Sequence, residues 1–171
     1  LLQGFVELWH TIHSMFHYKQ TLLFVCAYLF FNDAVQTVIT LAGQFGSEEL
    51  KIEQGTLTAV ILMVQLLAFP GAMIFNWVAA RISAKWAIAT TLVLWILVVL
   101  AMYGVVYDTR GFVIAGAVVA LVLGGTQALT RSLYSQLIPL GHEAAYFSLY
   151  EIGDKGTSWI GPAVFAMVRT Q

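Results

Sequence analysis

Apolar residues fill this chain in five long stretches, separated by short clusters rich in charge, Gly or Gln. The stretches cover residues 21–43, 56–79, 86–107, 112–138 and 144–168. Each meets the length of about 20 mostly apolar residues that a membrane-spanning helix needs. The junctions at 44–55, 80–85, 108–111 and 139–143 are short, so successive helices must be antiparallel neighbours within one bundle. The first stretch begins too deep in the chain, and holds too many polar residues, to be a cleaved signal peptide. Residues 1–20 have another pattern. Phe5, Leu8, Trp9, Ile12, Met15 and Phe16 recur at helical spacing, with Glu7, His10, His13 and Lys19 on other faces. That arrangement predicts an amphipathic linker helix lying in the membrane interface. The expected fold is an all-α membrane protein of five transmembrane helices preceded by this interfacial helix.

Composition narrows the function classes. Of 171 residues, 60% are hydrophobic and only 10% charged, against about 25% charged in a soluble domain. Eight basic residues nearly balance nine acidic ones, so no strong field favours nucleic acid. P-loop, zinc and basic-aromatic motifs are absent, as is any residue set for nucleophilic catalysis, so no enzyme and no cofactor is expected. The one cysteine, Cys26, is expected to be a small buried apolar residue. His10, His13 and His17 have spacings that suit a metal, but no Cys or carboxylate completes the set, so no metal site is assigned. Lys19, Arg81, Lys85 and Arg131 gather toward one side of the membrane, Lys51, Arg110 and Arg169 toward the other. The compact pair Arg81/Lys85 makes the first side cytoplasmic. An odd number of spans, a first residue other than Met and an end directly after a span lead us to expect a piece of a larger protein.

Polar residues inside spans carry the candidate chemistry, because each ionisable group at a helix centre costs about 2.5–3.5 kcal/mol on insertion scales. The first span contains Asn32, Asp33, Gln36, Thr37 and Thr40. The pairs Asn32/Gln36 and Asp33/Thr37 are four apart and define a polar stripe near mid-membrane. The fourth holds Gly124, Gly125, Gln127 and Arg131; the glycines permit a close helix approach or a bend. The fifth contains Glu151, Asp154 and Lys155, with Glu151 correctly placed for an intrahelical bridge to Lys155. Arg131 is the expected partner of Asp154 or Glu151, because a guanidinium keeps its charge. Asp33, Gln127, Arg131, Glu151 and Asp154 are expected to share one water-accessible cavity, since unpaired in lipid they would cost roughly 10 kcal/mol together. The alternative is that these charges only neutralise one another between helices. The second span offers little beyond Gln65, Asn76 and a Pro70-Gly71 break. The third, uncharged from Trp86 to Tyr107, is expected to face lipid, with Trp95 freely replaceable.

Three segments carry a family resemblance. Residues 28–39 (Tyr-Leu-Phe-Phe-Asn-Asp-Ala-Val-Gln-Thr-Val-Ile), 123–132 (Leu-Gly-Gly-Thr-Gln-Ala-Leu-Thr-Arg-Ser) and 147–162, which includes Tyr-Glu-Ile-Gly-Asp-Lys-Gly-Thr-Ser-Trp at 150–159, occur in family order and spacing. They resemble the C-terminal half of the vacuole-effluxer-like branch of the major facilitator superfamily. The resemblance implies that residues 21–171 correspond to helices seven to eleven of a twelve-helix transporter, with the ninth peripheral. It also implies that the N-terminal half of the transporter is a partner missing from this chain. The 76–85 segment is similar to the superfamily's short basic loop, but Ala80 replaces the usual acid and Ser83 the usual Gly. Arg81 and Lys85 then serve topology rather than gating.

The expected function is secondary active transport by alternating access about a midplane site. By resemblance, it exports amino acids or similar small polar solutes. Asn32, Gln36, Thr37, Gln127 and Arg131 are the candidate substrate-binding residues, Arg131 for its bidentate fit to a carboxylate. Asp33, Glu151, Asp154 and Lys155 form the candidate proton-coupling or charge network, with Asp33, Glu151 and Asp154 all open as the proton carrier. The expected setting is membrane lipid, in a bacterial inner membrane or, for a fungal chain, the vacuolar membrane. Two other classes are a transport-inactive membrane scaffold, whose charges only specify packing, and an intramembrane enzyme using Asp33 with Glu151. Related polar stripes in further spans upstream discriminate for transport; a receptor-like soluble domain there discriminates for the scaffold.

Overall fold

The computed structural model describes residues 18–139 and 141–157, together with His13, Ala163 and Met167. The interfacial helix expected over 1–20 and the end of the fifth span from residue 158 lie largely outside the described residues, as do His10 and His17. Five α-helices follow in order: α1 (Lys19–Gln44), α2 (Gln54–Ile82), α3 (Ala84–Val105), α4 (Thr109–Leu137) and α5 (Glu143–Thr157). Among the described residues there is no strand. The first four helices are long and apolar enough to cross a membrane. At 29 residues each, α2 and α4 reach about 44 Å at about 1.5 Å per residue. That exceeds a hydrocarbon core of about 30 Å, so both project beyond it or tilt.

The first three junctions are shorter than the sequence pattern predicts, because backbone hydrogen bonds run into them. α1 widens into a π-helical turn at Phe45–Glu49. The turn closes through Leu50 N–H to the Phe45 carbonyl (3.1 Å) and Ile52 N–H to the Gly46 carbonyl (3.0 Å). Between α2 and α3 only Ser83 interrupts the helical path, with φ 89° and ψ 151°. Its N–H still donates to the Ala79 carbonyl, and its own carbonyl accepts from Ala87. The α4–α5 turn uses Gly141 at φ +87°, which a Cβ would strain. There the Gly141 N–H donates to the Glu143 carboxylate at 3.1 Å. Amide donors at Glu143 itself and Gly141 hold that exposed carboxyl below its ordinary range.

The chain divides into two compact units, Leu1–Leu41 with Tyr134–Gln171, and Ala42–Leu133. In the first, Thr21 Oγ1 donates to the Leu137 carbonyl (2.7 Å), which stands in the last turn of α4. Phe24 stacks on Tyr134 at 5.8 Å. As α1 rises from 21 to 24, its partners on α4 fall from 137 to 134: those segments are antiparallel. Tyr28 instead stacks on Tyr150 at 4.3 Å, and Leu29 lies against Gly153. α1 and α5 are therefore parallel, as alternating membrane crossings of a first and a fifth span require.

In the second unit buried clusters close each end of the α2–α3 hairpin. Ile52, Leu57, Val60, Val106 and Phe112 close one end, while Phe75, Ala87 and Leu129 close the other. Between them α2 and α4 approach backbone to backbone. A Cβ on Gly71 would collide with the Leu121 backbone, one on Gly124 with the Ala68 backbone, and one on Gly125 with the Phe75 ring. The glycines of the fourth span thus serve close approach, and α2 is helical through Pro70.

Two expectations are corrected here. Cys26 is exposed rather than buried. The buried positions of α1 are Thr21, Val25, Tyr28, Asn32 and Val35, alternately four and three apart, and position 26 falls outside that seam. Trp95, expected to be replaceable on a lipid-facing helix, is only 5% exposed. Its indole Nε1–H donates to Thr126 Oγ1 of α4 at 3.3 Å. Most of α3 is nonetheless exposed, including Val93, Ile96, Leu97 and Leu100, and among its described residues the buried edge is Ala87–Thr91–Trp95–Val98.

Candidate functional site

The polar positions of α1 border its buried seam, and one of them enters it. Asn32 lies in the buried seam at 6% exposure, in line with Tyr28 and Val35. Asp33, Gln36 and Thr37 stand beside that seam and are half-buried. The helix also supplies partners for its own hydroxyls. Thr37 Oγ1 donates to the Asp33 carbonyl (2.8 Å) and Thr40 Oγ1 to the Gln36 carbonyl (2.9 Å). Such back-bonding satisfies a hydroxyl where lipid offers no water. The Thr37 donor is thereby engaged within the helix, which leaves its oxygen as an acceptor.

α5 brings its charged segment to the same depth. The Tyr28–Tyr150 and Leu29–Gly153 contacts fix the parallel register. One turn beyond Tyr28 and Leu29 come Asn32 and Asp33; around and one turn beyond Tyr150 come Glu151 and backbone positions 154 and 155. Glu151 is half-buried and Lys155 exposed. Asn32, Asp33, Glu151 and Lys155 all have interaction partners. This arrangement places a carboxyl on α1 and an acid–base segment on α5 at one level of one unit.

Beneath that level, toward the start of α1, lies an aromatic cluster that the sequence analysis did not single out. Tyr134 and Tyr150 stack at 5.0 Å, and Phe147 meets Tyr134 edge-on at 5.5 Å. Tyr134, Tyr146 and Tyr150 are almost wholly buried. The Tyr134 hydroxyl donates to the Tyr146 carbonyl at 3.0 Å, which gives a buried phenol the partner it needs. The available signal was Tyr146 and Tyr150 four apart beside Phe147, a spacing that puts aromatic rings on one helix face. Gly153 belongs to the same contact, since a Cβ there would meet Leu29 at 2.8 Å.

The candidates on α4 belong to the second unit. Thr126 and Thr130 are buried, with their hydroxyls bonded to the Val122 and Thr126 carbonyls at 2.7 and 2.8 Å. Gln127 and Arg131 are exposed, one turn apart. Arg131 has an interaction partner. Among the described residues no group of three or more His, Cys, Asp or Glu is placed to hold a metal ion.

Long apolar helices, Thr hydroxyls returned to their own backbone and polar side chains at one depth define a polytopic helical membrane protein. The model of the family described as "Vacuole effluxer Atg22 like" matches residues 1–171. The chain belongs to that family. It is 31% identical to the MFS-type transporter YxiO of Bacillus subtilis, over 98% of this chain and 39% of that protein. Autophagy-related protein 22-1 of Neosartorya fischeri is 31% identical over 95% of this chain and 29% of its own length. Autophagy-related protein 22 of Kluyveromyces lactis is 26% identical over 96% and 36%. The chain thus spans less than two-fifths of these relatives. An effluxer and a transporter are named among them, and none of these names is that of an enzyme. No solved structure matches.

Proposed function

We propose that this chain is part of a secondary active transporter that exports amino acids or similar small polar solutes by alternating access. The observation that carries the proposal is the common depth of Asp33 on α1 and the Glu151–Lys155 segment on α5, set by the Tyr28–Tyr150 and Leu29–Gly153 contacts. Membership of an effluxer family supports the same direction of transport. The candidate solute-binding groups of the first unit are the Gln36 amide and the Thr37 acceptor; those of the second are the Gln127 amide and Arg131, a bidentate fork for a carboxylate. Asn32, in the buried seam, presents only what its packed position leaves free and shapes the wall of the site. Asp33 is the proposed proton carrier, with Glu151, Asp154 and Lys155 as the surrounding charge network. The proposed location is a cell membrane in a bacterium or the vacuolar membrane in a fungus.

The test is counterflow of amino acids in vesicles carrying the full-length protein. Exchange of at least one amino acid is expected, with uptake that depends on pH. Asp33→Asn should remove that pH dependence, and Arg131→Gln should raise the half-saturating concentration of a carboxylate solute more than Arg131→Lys does. No flux of any small polar solute would refute transport. An unchanged pH profile in Asp33→Asn would refute the proton role alone.

A further inference from the structure

The second unit is electrically lopsided. All its acidic residues, Glu48, Glu49, Glu53 and Asp108, stand at the end closed by Ile52, Val106 and Phe112. They share that end with Lys51 and Arg110. The opposite end, where α2 meets α3, has Arg81 and Lys85 and no acidic residue; indeed none occurs between Glu53 and Asp108. Both cations are exposed there. The Arg81 guanidinium lies 3.7 Å over the Trp77 ring, a cation–π contact that holds the charge at one place on the surface. Trp77 is still 57% exposed, Ile82 46% and Trp86 64%. Two indoles, an isoleucine and two cations thus form an outward-facing patch around a one-residue turn.

We propose that this patch binds the phosphate-bearing headgroup of an anionic phospholipid. Indole rings settle at headgroup depth, where their apolar body meets acyl chain and their N–H meets water. Arg81 and Lys85 there meet lipid phosphates, and Trp77 holds the guanidinium over its ring face. A zwitterionic headgroup brings its own cation to the same place and loses the advantage. The acidic end of the unit repels the same headgroups, so binding is confined to one leaflet. This role is separate from solute transport and does not depend on it.

The experiment is native mass spectrometry of the full-length protein released from bilayers of phosphatidylglycerol and phosphatidylcholine in equal parts. Retention of phosphatidylglycerol over phosphatidylcholine is expected. Each cation near an anionic surface is worth about fivefold in binding, so Arg81→Gln with Lys85→Gln should lower retained phosphatidylglycerol by more than about tenfold. Lys51→Gln with Arg110→Gln, at the acidic end, should not lower it. Washing the unaltered protein in about 1 M salt, where the screening length is about 3 Å, should release the lipid, which tests the proposal without any variant. Equal retention of the two lipids, unchanged retention in the Arg81/Lys85 variant, or equally effective displacement by inorganic phosphate would each overturn it.

Discussion

Ser83 shows how one residue can carry strain that its neighbours impose. Its φ of 89° with ψ of 151° is a backbone region occupied essentially by glycine, at a cost of about 1–3 kcal/mol for other residues. Glycine adds an entropic cost of about 0.5–1 kcal/mol through the unfolded chain. Ser83→Gly is therefore expected to stabilise the protein by on the order of 1 kcal/mol, read as a higher unfolding midpoint of the full-length protein in detergent. A lower midpoint would mean that the serine side chain stabilises the turn by more than its backbone costs. The family-like pattern carries Gly at this position, and the turn geometry gives the physical reason. Thr37 teaches a related lesson: counted as a polar group for solute, it has already given its proton to the Asp33 carbonyl.

At the scale of elements, the informative helix is α3. Its sequence is apolar on every side, so no polar contrast marks which edge packs and which meets lipid. The packed edge runs through Thr91, Trp95 and Val98. Trp95→Leu removes a hydrogen bond worth about 1 kcal/mol and leaves a void in the α3–α4 contact. The expected loss is about 2 kcal/mol or more, measured by thermal unfolding of the full-length protein. Ile96→Leu, on the exposed face, should change stability by no more than about 0.5 kcal/mol. If both variants behaved alike, the Trp95–Thr126 contact would not be stabilising. The α2–α4 crossing has the opposite signature, since Gly71, Gly124 and Gly125 mark the contact in the sequence by their lack of side chains.

For the whole molecule, the alternation of helices and the cation distribution make one topology. By the positive-inside rule, Arg81 and Lys85 are expected to put the α2–α3 turn in the cytoplasm. In a Cys26→Ser background, Ser83→Cys should be labelled from the cytoplasm and Thr109→Cys from outside; the reverse pattern would invert the orientation. Alternating access requires two halves moving about a central site, and this chain covers 39% of its bacterial relative. Reconstituted by itself, the 171-residue chain is expected to move no solute across a vesicle wall. Flux from it would show that the second half is dispensable and would remove the alternating-access mechanism from the proposal.

Four long apolar helices, the start of a fifth and the family were all written in the local pattern of residues. Lipid forces both properties into local pattern: a span must be apolar over its whole length and must satisfy its backbone internally. The first four helices accordingly fall within a few residues of the expected stretches, longer where turns continue their hydrogen bonds. Candidate residues such as Asp33, Glu151 and Arg131 were legible for the same reason, because a charge in an apolar run is costly enough to stand out. Which side of each helix meets another emerges only in the folded chain. Asn32 enters a seam while Asp33 beside it does not, Cys26 turns outward, Trp95 turns inward, and Tyr28, Tyr134 and Tyr150 stack from three helices. These outcomes depend on partners far away in sequence. Where every face of a helix is apolar, hydrophobicity favours none of them, and the choice falls to packing and to the hydrogen bonds that buried Tyr, Trp and Thr must find.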